Sequence, residues 1–373
     1  MKHSPQFGIG ASVLQPTTFC NLDCSYCYLT EKHKKILMKP DIPQRLSDFI
    51  QRNITSEEFK IIWHASEPLA MPLDQFKKLH KPLACEKFNI RVRHNIQTNA
   101  TLLNSSWCEF LKNENFEIGV SVDGPLELNR KRKYRSGKES FNSTMRGIDL
   151  LKHFEIPFAT ISVIGNDSLK HAAKIYHFVK GIGSRCMCIN VEEKEGANKG
   201  NLTPSVRVEN FWKELVEIWM SDDKPIKVRE IQNNLEAMSS MLAGDSANGV
   251  TIGKKIDLFP SIAVNGDVVL LSPELLNAER KNTTNEFIVG NLLSSDLSDI
   301  LAVGMNSRYV KEYLEGIQKC SRGCDYFQVC GGGQASNKYF ENGNLNTSET
   351  AYCKNHKQTV IEAILDSIVT KNE

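Results

Sequence analysis

Apolar residues alternate with polar ones, or run together with β-branched ones, in six short stretches: Ser12–Phe19, Phe59–Trp63, Ile90–Gln97, Phe116–Val122, Phe158–Ile164 and Cys186–Val191. Between most of them the apolar spacing lengthens to the three- and four-residue steps of an amphipathic helix, over Pro43–Arg52, Leu73–His80, Ser105–Lys112, Ser143–Phe154 and Ser168–Lys180. Strands alternating with helices of this length predict an α/β fold with a parallel sheet, here a partial (β/α)6 TIM-like barrel. Its reactive residues belong at the carboxyl ends of the strands. Further on, helical spacing from about Glu209 to Ala243, with Trp212 and Trp219, predicts a bridge from the barrel to a C-terminal extension. Gly244–Gly253 reads as a linker. Asn265-Gly266, inside Ile262–Val269, signals a hairpin with a two-residue turn, and Thr359–Val369 reads as a closing amphipathic helix. The expected partition is a barrel over 1–195, a bridge and linker over 196–253, and a Cys-rich unit over 254–373.

A length of 373 residues suits one large domain with an appendage, or two or three smaller ones. With 46 basic against 44 acidic residues and a formal charge of +2, bulk charge gives no nucleic-acid or membrane partner. The N-terminus lacks a continuous apolar signal region, and no stretch approaches the roughly 18 apolar residues of a membrane span. The expected location is therefore cytoplasmic. There, eleven cysteines grouped at short spacings read as metal ligands and not as disulfides. Seven of them form two groups: Cys20, Cys24 and Cys27 near the start, and Cys320, Cys324, Cys330 and Cys353 near the end.

Three thiolates on one tight loop can hold a four-iron cluster by three corners and leave the fourth iron open, and an open metal position is built for chemistry. From these residues alone, a zinc site completed by His33 or a closed cluster with a remote fourth ligand stands as the alternative. The spacing C-x3-C-x2-C followed by Tyr28 resembles the signature of the radical S-adenosylmethionine (SAM) enzymes. That resemblance implies a SAM-binding [4Fe–4S] cluster, reductive cleavage of SAM and a 5′-deoxyadenosyl radical that abstracts hydrogen from an unactivated carbon.

Other motifs fall at the predicted strand ends. Trp63-His64-Ala65-Ser66-Glu67-Pro68 resembles the family's Gly-Gly-Glu-Pro element, with Ala65 and Ser66 replacing both glycines. Gln97-Thr98-Asn99 and Ser121-Val122-Asp123-Gly124-Pro125 resemble the SPASM-containing branch of the family. The stretch Leu128–Arg132, followed by Ser136-Gly137-Lys138 and Ser140-Phe141, resembles its Arg-containing segment, with Asn129 where Asp is usual. The resemblance implies that Tyr26, Ser66, Glu67, Gln97, Asn99, Ser121 and Arg132 form the SAM site. Within it Ser121 and Arg132 would meet the carboxylate, a partner that a planar guanidinium binds well. Arg130 and Arg135 are neighbouring candidates, while Lys131, Lys133 and Lys138 read as solvated charge. Asp123 is expected either to hydrogen-bond substrate or to fix its own turn.

From spacing alone the C-terminal group suits either a fully ligated cluster or zinc. C-x3-C-x5-C-Gly-Gly with a distant Tyr352-Cys353 resembles the SPASM extension, which usually carries two auxiliary clusters. Here Gly333 and Gln334 replace one expected ligand, and Phe259, Pro260, Leu271 and Ser272 flank the hairpin where cysteines are usual. The resemblance thus implies one auxiliary [4Fe–4S] cluster, held by Cys320, Cys324, Cys330 and Cys353, and two clusters in all. Pro273 stands where sulfatase-maturating members carry an acidic base, leaving Glu274 and Asp267 as the nearest replacements. Cys85 and Cys108 read as structural, as do Cys186 and Cys188, which alternate along the sixth strand and are expected to face opposite sides.

The resemblance implies a peptide-modifying oxidoreductase that installs a crosslink in a ribosomal precursor peptide, aromatic ring to Cβ (a cyclophane). The short N-terminus leads to the expectation that the leader binds the barrel, the extension or another protein, while a flavodoxin or ferredoxin-type reductant supplies electrons. Formylglycine formation, thioether formation and epimerisation are alternatives within the class. An Fe–S electron-transfer or redox-sensing protein is the alternative outside it.

Overall fold

The computed structural model describes residues 7–200, 205–243, 256–278 and 286–372. Six parallel strands alternate with helices: β1 (Ala11–Leu14), α1 (Asp41–Asn53), β2 (Glu58–Trp63), α2 (Leu73–His80), β3 (Arg91–Thr98), α3 (Ser105–Asn113), β4 (Glu117–Ser121), α4 (Phe141–His153), β5 (Phe158–Ile164), α5 (Ala172–Gly181) and β6 (Cys186–Val191). The chain continues through α6 (Ser205–Ser221), β7 (Lys227–Val228), α7 (Arg229–Leu242), β8 (Ser261–Ile262), β9 (Asp267–Val269) and β10 (Gly290–Asn291). It closes with α8 (Leu297–Met305), α9 (Arg308–Gly323), α10 (Ala335–Asn342) and α11 (Thr359–Asn372).

Among the described residues one sheet runs β10-β9-β8-β1-β2-β3-β4-β5-β6-β7. Its neighbours are parallel from β8 through β7, and antiparallel at the β8–β9 and β9–β10 pairs. Side-chain period two sets the layers. Phe59, Ile61 and Trp63 of β2, Val92 and Ile96 of β3, and Ile118 and Val120 of β4 are buried in one apolar cluster with residues of α1, α2 and α3. The opposite faces, with Lys60, Ile62, Asn95, Gln97, Gly119 and Ile161, line a lumen of about 760 Å³. Membership of this sheet carries the C-terminal region into the barrel, because β8 pairs with β1 through Ser261–Val13 and Ile262–Leu14. The expected bridge is two helices, α6 and α7, and its core residues Phe211, Trp212 and Ile231 pack with Val360 and Ile364 of α11.

Several expectations change. The first strand ends at Leu14 and not at Phe19; Pro16, which has no N–H to give a ladder, follows at once. The hairpin loop has three residues: Ala263 N–H donates to Asp267 O (2.8 Å), Gly266 N–H donates to Ala263 O (2.9 Å), and Gly266 takes φ 91°. That is a turn closed by a left-handed glycine bulge, the other common hairpin solution. Cys186 and Cys188 share one face, with sulfurs 4.0 Å apart, because residues two apart on a strand point the same way. The linker Gly244–Gly253 lies outside the described residues. No helix among the described residues is long and apolar enough to cross a membrane.

Candidate active site

The cysteine loop leaves β1 and is pinned from outside. Cys20 N–H donates to Lys32 O (2.9 Å), Asp23 N–H to Lys133 O (2.7 Å) and Ser25 N–H to Lys131 O (3.2 Å), while Cys27 N–H closes a turn on Cys24 O (3.1 Å). All three thiols are partly exposed. Burial and the neighbouring Glu67 push Cys20 up to about 12, and burial raises Cys24 against the pull of Arg132. Buried thiols such as Cys20 and Cys24 ionise when a metal compensates their charge, and three thiols on one loop are the donor set that a cluster with a vacant corner needs.

Behind the loop, half-buried Tyr26 and buried Asp123 and Arg132 form a triad. Tyr26 OH donates to Asp123 Oδ2 (2.7 Å), and Arg132 Nη1 donates to Tyr26 OH (2.6 Å) and lies 3.8 Å from Asp123 Oδ1. Asp123 Oδ1 also accepts Val163 N–H (3.0 Å), and Asn129 Oδ1 accepts Asp123 N–H (3.0 Å). Both Asp123 oxygens are therefore engaged inside the protein. Arg132 keeps its Nε buried without a partner, and an unpaired buried guanidinium N–H is a costly group that an incoming carboxylate would satisfy. Gln97 Nε2 donates to Ser121 Oγ (2.7 Å) across Gly119. A Cβ at Gly119 would stand 2.1 Å from Gln97 Oε1, so any side chain there would push the Gln97 amide from its place beside Ser121.

At the end of β2, Trp63 Nε1 donates to His94 Nδ1 (3.1 Å), whose Nε2 faces Leu83 O (3.0 Å). The chain then turns through Ala65 (φ 69°) and Ser66 (φ 59°). Ser66 Oγ donates to Thr18 O (2.8 Å). Glu67 is 1% exposed and spends its carboxylate on Thr98 Oγ1 (2.6 Å), Asn99 N–H (2.7 Å) and Leu69 N–H (3.1 Å). Asn99 in turn holds Asn21 of the cysteine loop (2.9 Å). Glu67 and Asn99 thus bind one loop to another, and what they offer outward is backbone.

The other two acids separate. Asp267 sits in the hairpin, where Asn265 and Asn291 each donate to it (2.7 Å). Glu274 lies near Tyr28, Glu193 and Glu195; burial raises its pKa and Glu193 adds to the shift. Sequence reasoning missed Glu193 and Glu195, which follow β6. Burial, then Glu193, then Glu274 push Glu195 well above the carboxylate range. Asn337 of α10 donates to Glu193 (2.5 Å) and Glu195 (3.2 Å), and His356 Nε2 accepts Val191 N–H (2.9 Å). Ala197 N–H donates to Tyr28 O (2.8 Å), which seats this loop on the cysteine loop. Three glutamates therefore meet at the carboxyl end of the barrel, walled by the C-terminal segment.

The second cysteine group also assembles. Cys320, Cys324, Cys330 and Cys353 line one pocket with Tyr326 and Lys338. Lys338 is 2% exposed, and its Nζ lies 3.7 Å from Cys320 Sγ and donates to Thr347 O. Gly331, Gly332 and Gly333 all take positive φ, a run that side chains oppose. Four thiols with a buried cation fit a negatively charged cluster. Among the described residues no three His, Cys, Asp or Glu side chains are grouped to hold a single metal ion.

A family model for the radical SAM superfamily matches residues 14–179. The Synechocystis sp. protein sll1766, itself uncharacterised, is 32% identical over 367 residues, covering 95% of this chain and 91% of its own. The serine-type anaerobic sulfatase-maturating enzyme of Bacteroides thetaiotaomicron is 25% identical over 370 residues, covering 91% and 85%. Among solved structures, anSMEcpe with bound AdoMet superposes with a TM-score of 0.80 at 20% identity, over 98% of this chain and 95% of that one. Streptococcus suis SuiB bound to precursor peptide SuiA gives 0.64 at 18% identity, over 94% and 77%. At those identities the two structures speak for the fold.

Proposed function

The chain belongs to the radical SAM superfamily, and from that premise we propose that it is a maturase that joins an aromatic ring carbon to the β-carbon of a nearby residue in a ribosomal precursor peptide. The observation that carries this reading is the cluster in which Glu193, Glu195, Glu274 and Tyr28 meet Asn337 and His356 of the C-terminal segment, beside the cysteine loop. Relatives named for sulfatase maturation, and a solved neighbour holding its precursor peptide, favour a polypeptide substrate.

Cys20, Cys24 and Cys27 would hold the SAM-binding cluster, and Cys320, Cys324, Cys330 and Cys353 the auxiliary one. When bound, these groups and SAM supply the one-electron chemistry that removes a hydrogen atom from an unactivated carbon and takes up the electron left after bond formation. Arg132 and Ser121 would hold the SAM carboxylate; Tyr26 and Asp123 hold Arg132 in place, and Gln97 orients Ser121. Ser66 and Glu67 shape the backbone that would meet the amino group. Glu274, whose carboxyl burial pushes above the ordinary range and Ser272 hydrogen-bonds, is the proton acceptor beside the cysteine loop, whereas Asp267 is tied into its hairpin. Overall the ring-to-Cβ bond forms and two hydrogens leave the peptide, one of them as a proton to Glu274. The absence of thiols at Phe259, Pro260, Leu271 and Ser272 favours this outcome over formylglycine formation.

The likeness to a serine-type sulfatase maturase keeps oxidation of Ser to formylglycine as a second reading. Both products weigh two hydrogens less than the substrate. The test co-produces a short peptide encoded beside the gene with the enzyme or its Cys24→Ala, Cys27→Ala variant. A crosslink gives a cysteine-dependent loss of two hydrogens, no cleavage fragments between the linked residues and no reaction with a hydrazide. A hydrazide adduct would establish the aldehyde instead, and an unchanged mass would sink both.

A further inference from the structure

The outer side of the cysteine loop is covered by a second loop, and both are basic. Residues 20–39 and 130–139 together contain ten Lys and Arg against three Asp and Glu, in a chain whose total is only +2, so the remainder is net acidic. The antiparallel bridge Leu22–Tyr134 joins the two segments, and a second, Lys133–Glu139, closes the latter segment on itself. Lys34, Lys35, Arg130, Lys133, Arg135 and Lys138 are exposed on it. Two cations reach inward to the cysteine loop itself: Lys32 Nζ donates to Cys24 O (3.3 Å) and pairs with Asp23 (2.8 Å). Arg135 donates to Lys32 O (2.6 Å) and, at 3.5 Å, to Cys20 O. Lys34 pairs with Glu31 (2.5 Å). Among the described residues Lys35, Arg130, Lys133, Arg135 and Lys138 make no ion pair.

We propose that this face docks a small acidic one-electron carrier protein, so that the electron enters the Cys20–Cys27 site from outside while the peptide meets the glutamate cluster at the strand ends. The inference rests on the radical SAM reading of that site. Clustered charge of one sign raises the local concentration and association rate of an oppositely charged partner. A single interface of ordinary size, about 800 Å² per partner, suffices for such a contact. An extended acidic peptide is recognised through a groove or a free strand edge, whereas the cavity of about 240 Å³ beside this loop takes in Glu31, Lys32 and Ile36 and none of Lys35, Arg130, Lys133, Arg135 and Lys138. The step is one electron leaving the carrier's reduced flavin or iron–sulfur centre and arriving at the cysteine-held site; no covalent bond forms or breaks.

The test measures binding of an oxidised acidic flavodoxin to the cluster-loaded protein at low and physiological salt, for wild type, for Lys35→Glu with Lys138→Glu, and for Lys78→Glu as a control at an exposed lysine of α2. The double reversal should weaken binding tenfold or more and flatten its salt dependence, while bleaching of the protein by dithionite, too small to need a docking face, stays unchanged. Equal binding by wild type and the double variant would overturn the proposal. So would equal weakening in Lys78→Glu, or a polyglutamate peptide that uses the patch while flavodoxin does not. Formation of 5′-deoxyadenosine with dithionite reports separately on the proposed chemistry.

Discussion

Ala65 and Ser66 occupy left-handed backbone at φ 69° and 59°, where a side chain costs roughly 1–2 kcal/mol per residue. The turn is kept because it delivers Glu67 to Thr98 and Asn99, and the strain stays local. Ser66 offsets part of its cost through its bond to Thr18 O; Ala65, 3% exposed, has no such compensation. Ala65→Gly should therefore raise stability by about 0.5 kcal/mol, the strain relieved less the extra chain entropy of glycine. Ala65→Val should lower it by roughly 2 kcal/mol. Anaerobic urea unfolding reads both, and a glycine variant clearly weaker than wild type would show that the turn is not strained. The same residues explain what the sequence leaves open: two non-glycines at glycine positions look like a broken motif until the φ values show that the shape survives.

The loop after β6 is where local reading falls short. Glu192-Glu193-Lys194-Glu195 looks like solvated charge, and only the approach of Asn337 and His356, well over a hundred residues later, turns it inward. Because the folded-state pKa of Glu195 is raised above its unfolded value of about 4.3, the folded protein holds a proton that the unfolded chain has released. Its contribution to stability is thus most favourable below that value and is lost as pH rises through the folded pKa. Glu195→Gln should match wild type at acid pH and exceed it near pH 8, a difference visible in denaturation midpoints at the two pH values. A variant less stable than wild type at both would mean that the carboxylate is satisfied in a way its neighbours do not reveal. By contrast, β2, β3, β5 and α2 were legible almost to the residue, since period-two and period-3.6 burial leave little choice. The hairpin loop length and the shared face of Cys186 and Cys188 needed, respectively, the position of Gly266 and stricter use of the strand period.

On the scale of the whole molecule, the C-terminal region is sewn to the barrel at both edges of its strand array: β8 lies along β1, and α11 packs on α6 while His356 holds Val191. The second cysteine pocket is thereby fixed relative to the first, and each can be emptied alone. Cys353 is the thiol of this pocket most remote in sequence, set by Thr350, whose hydroxyl accepts its N–H (3.0 Å). Lys338 is buried against Cys320, and because burial lowers its pKa, the cation there is favoured by negative charge on the neighbouring thiols. If that pocket holds a four-iron cluster, Cys353→Ser should remove up to about half of the protein's iron, leaving SAM cleavage with dithionite in place. Cys24→Ala with Cys27→Ala should remove the other half and abolish cleavage. Iron and zinc measured together decide the matter, because a zinc-filled pocket would leave iron untouched in Cys353→Ser and lose zinc instead, and the auxiliary site would then be a structural clasp between barrel and extension.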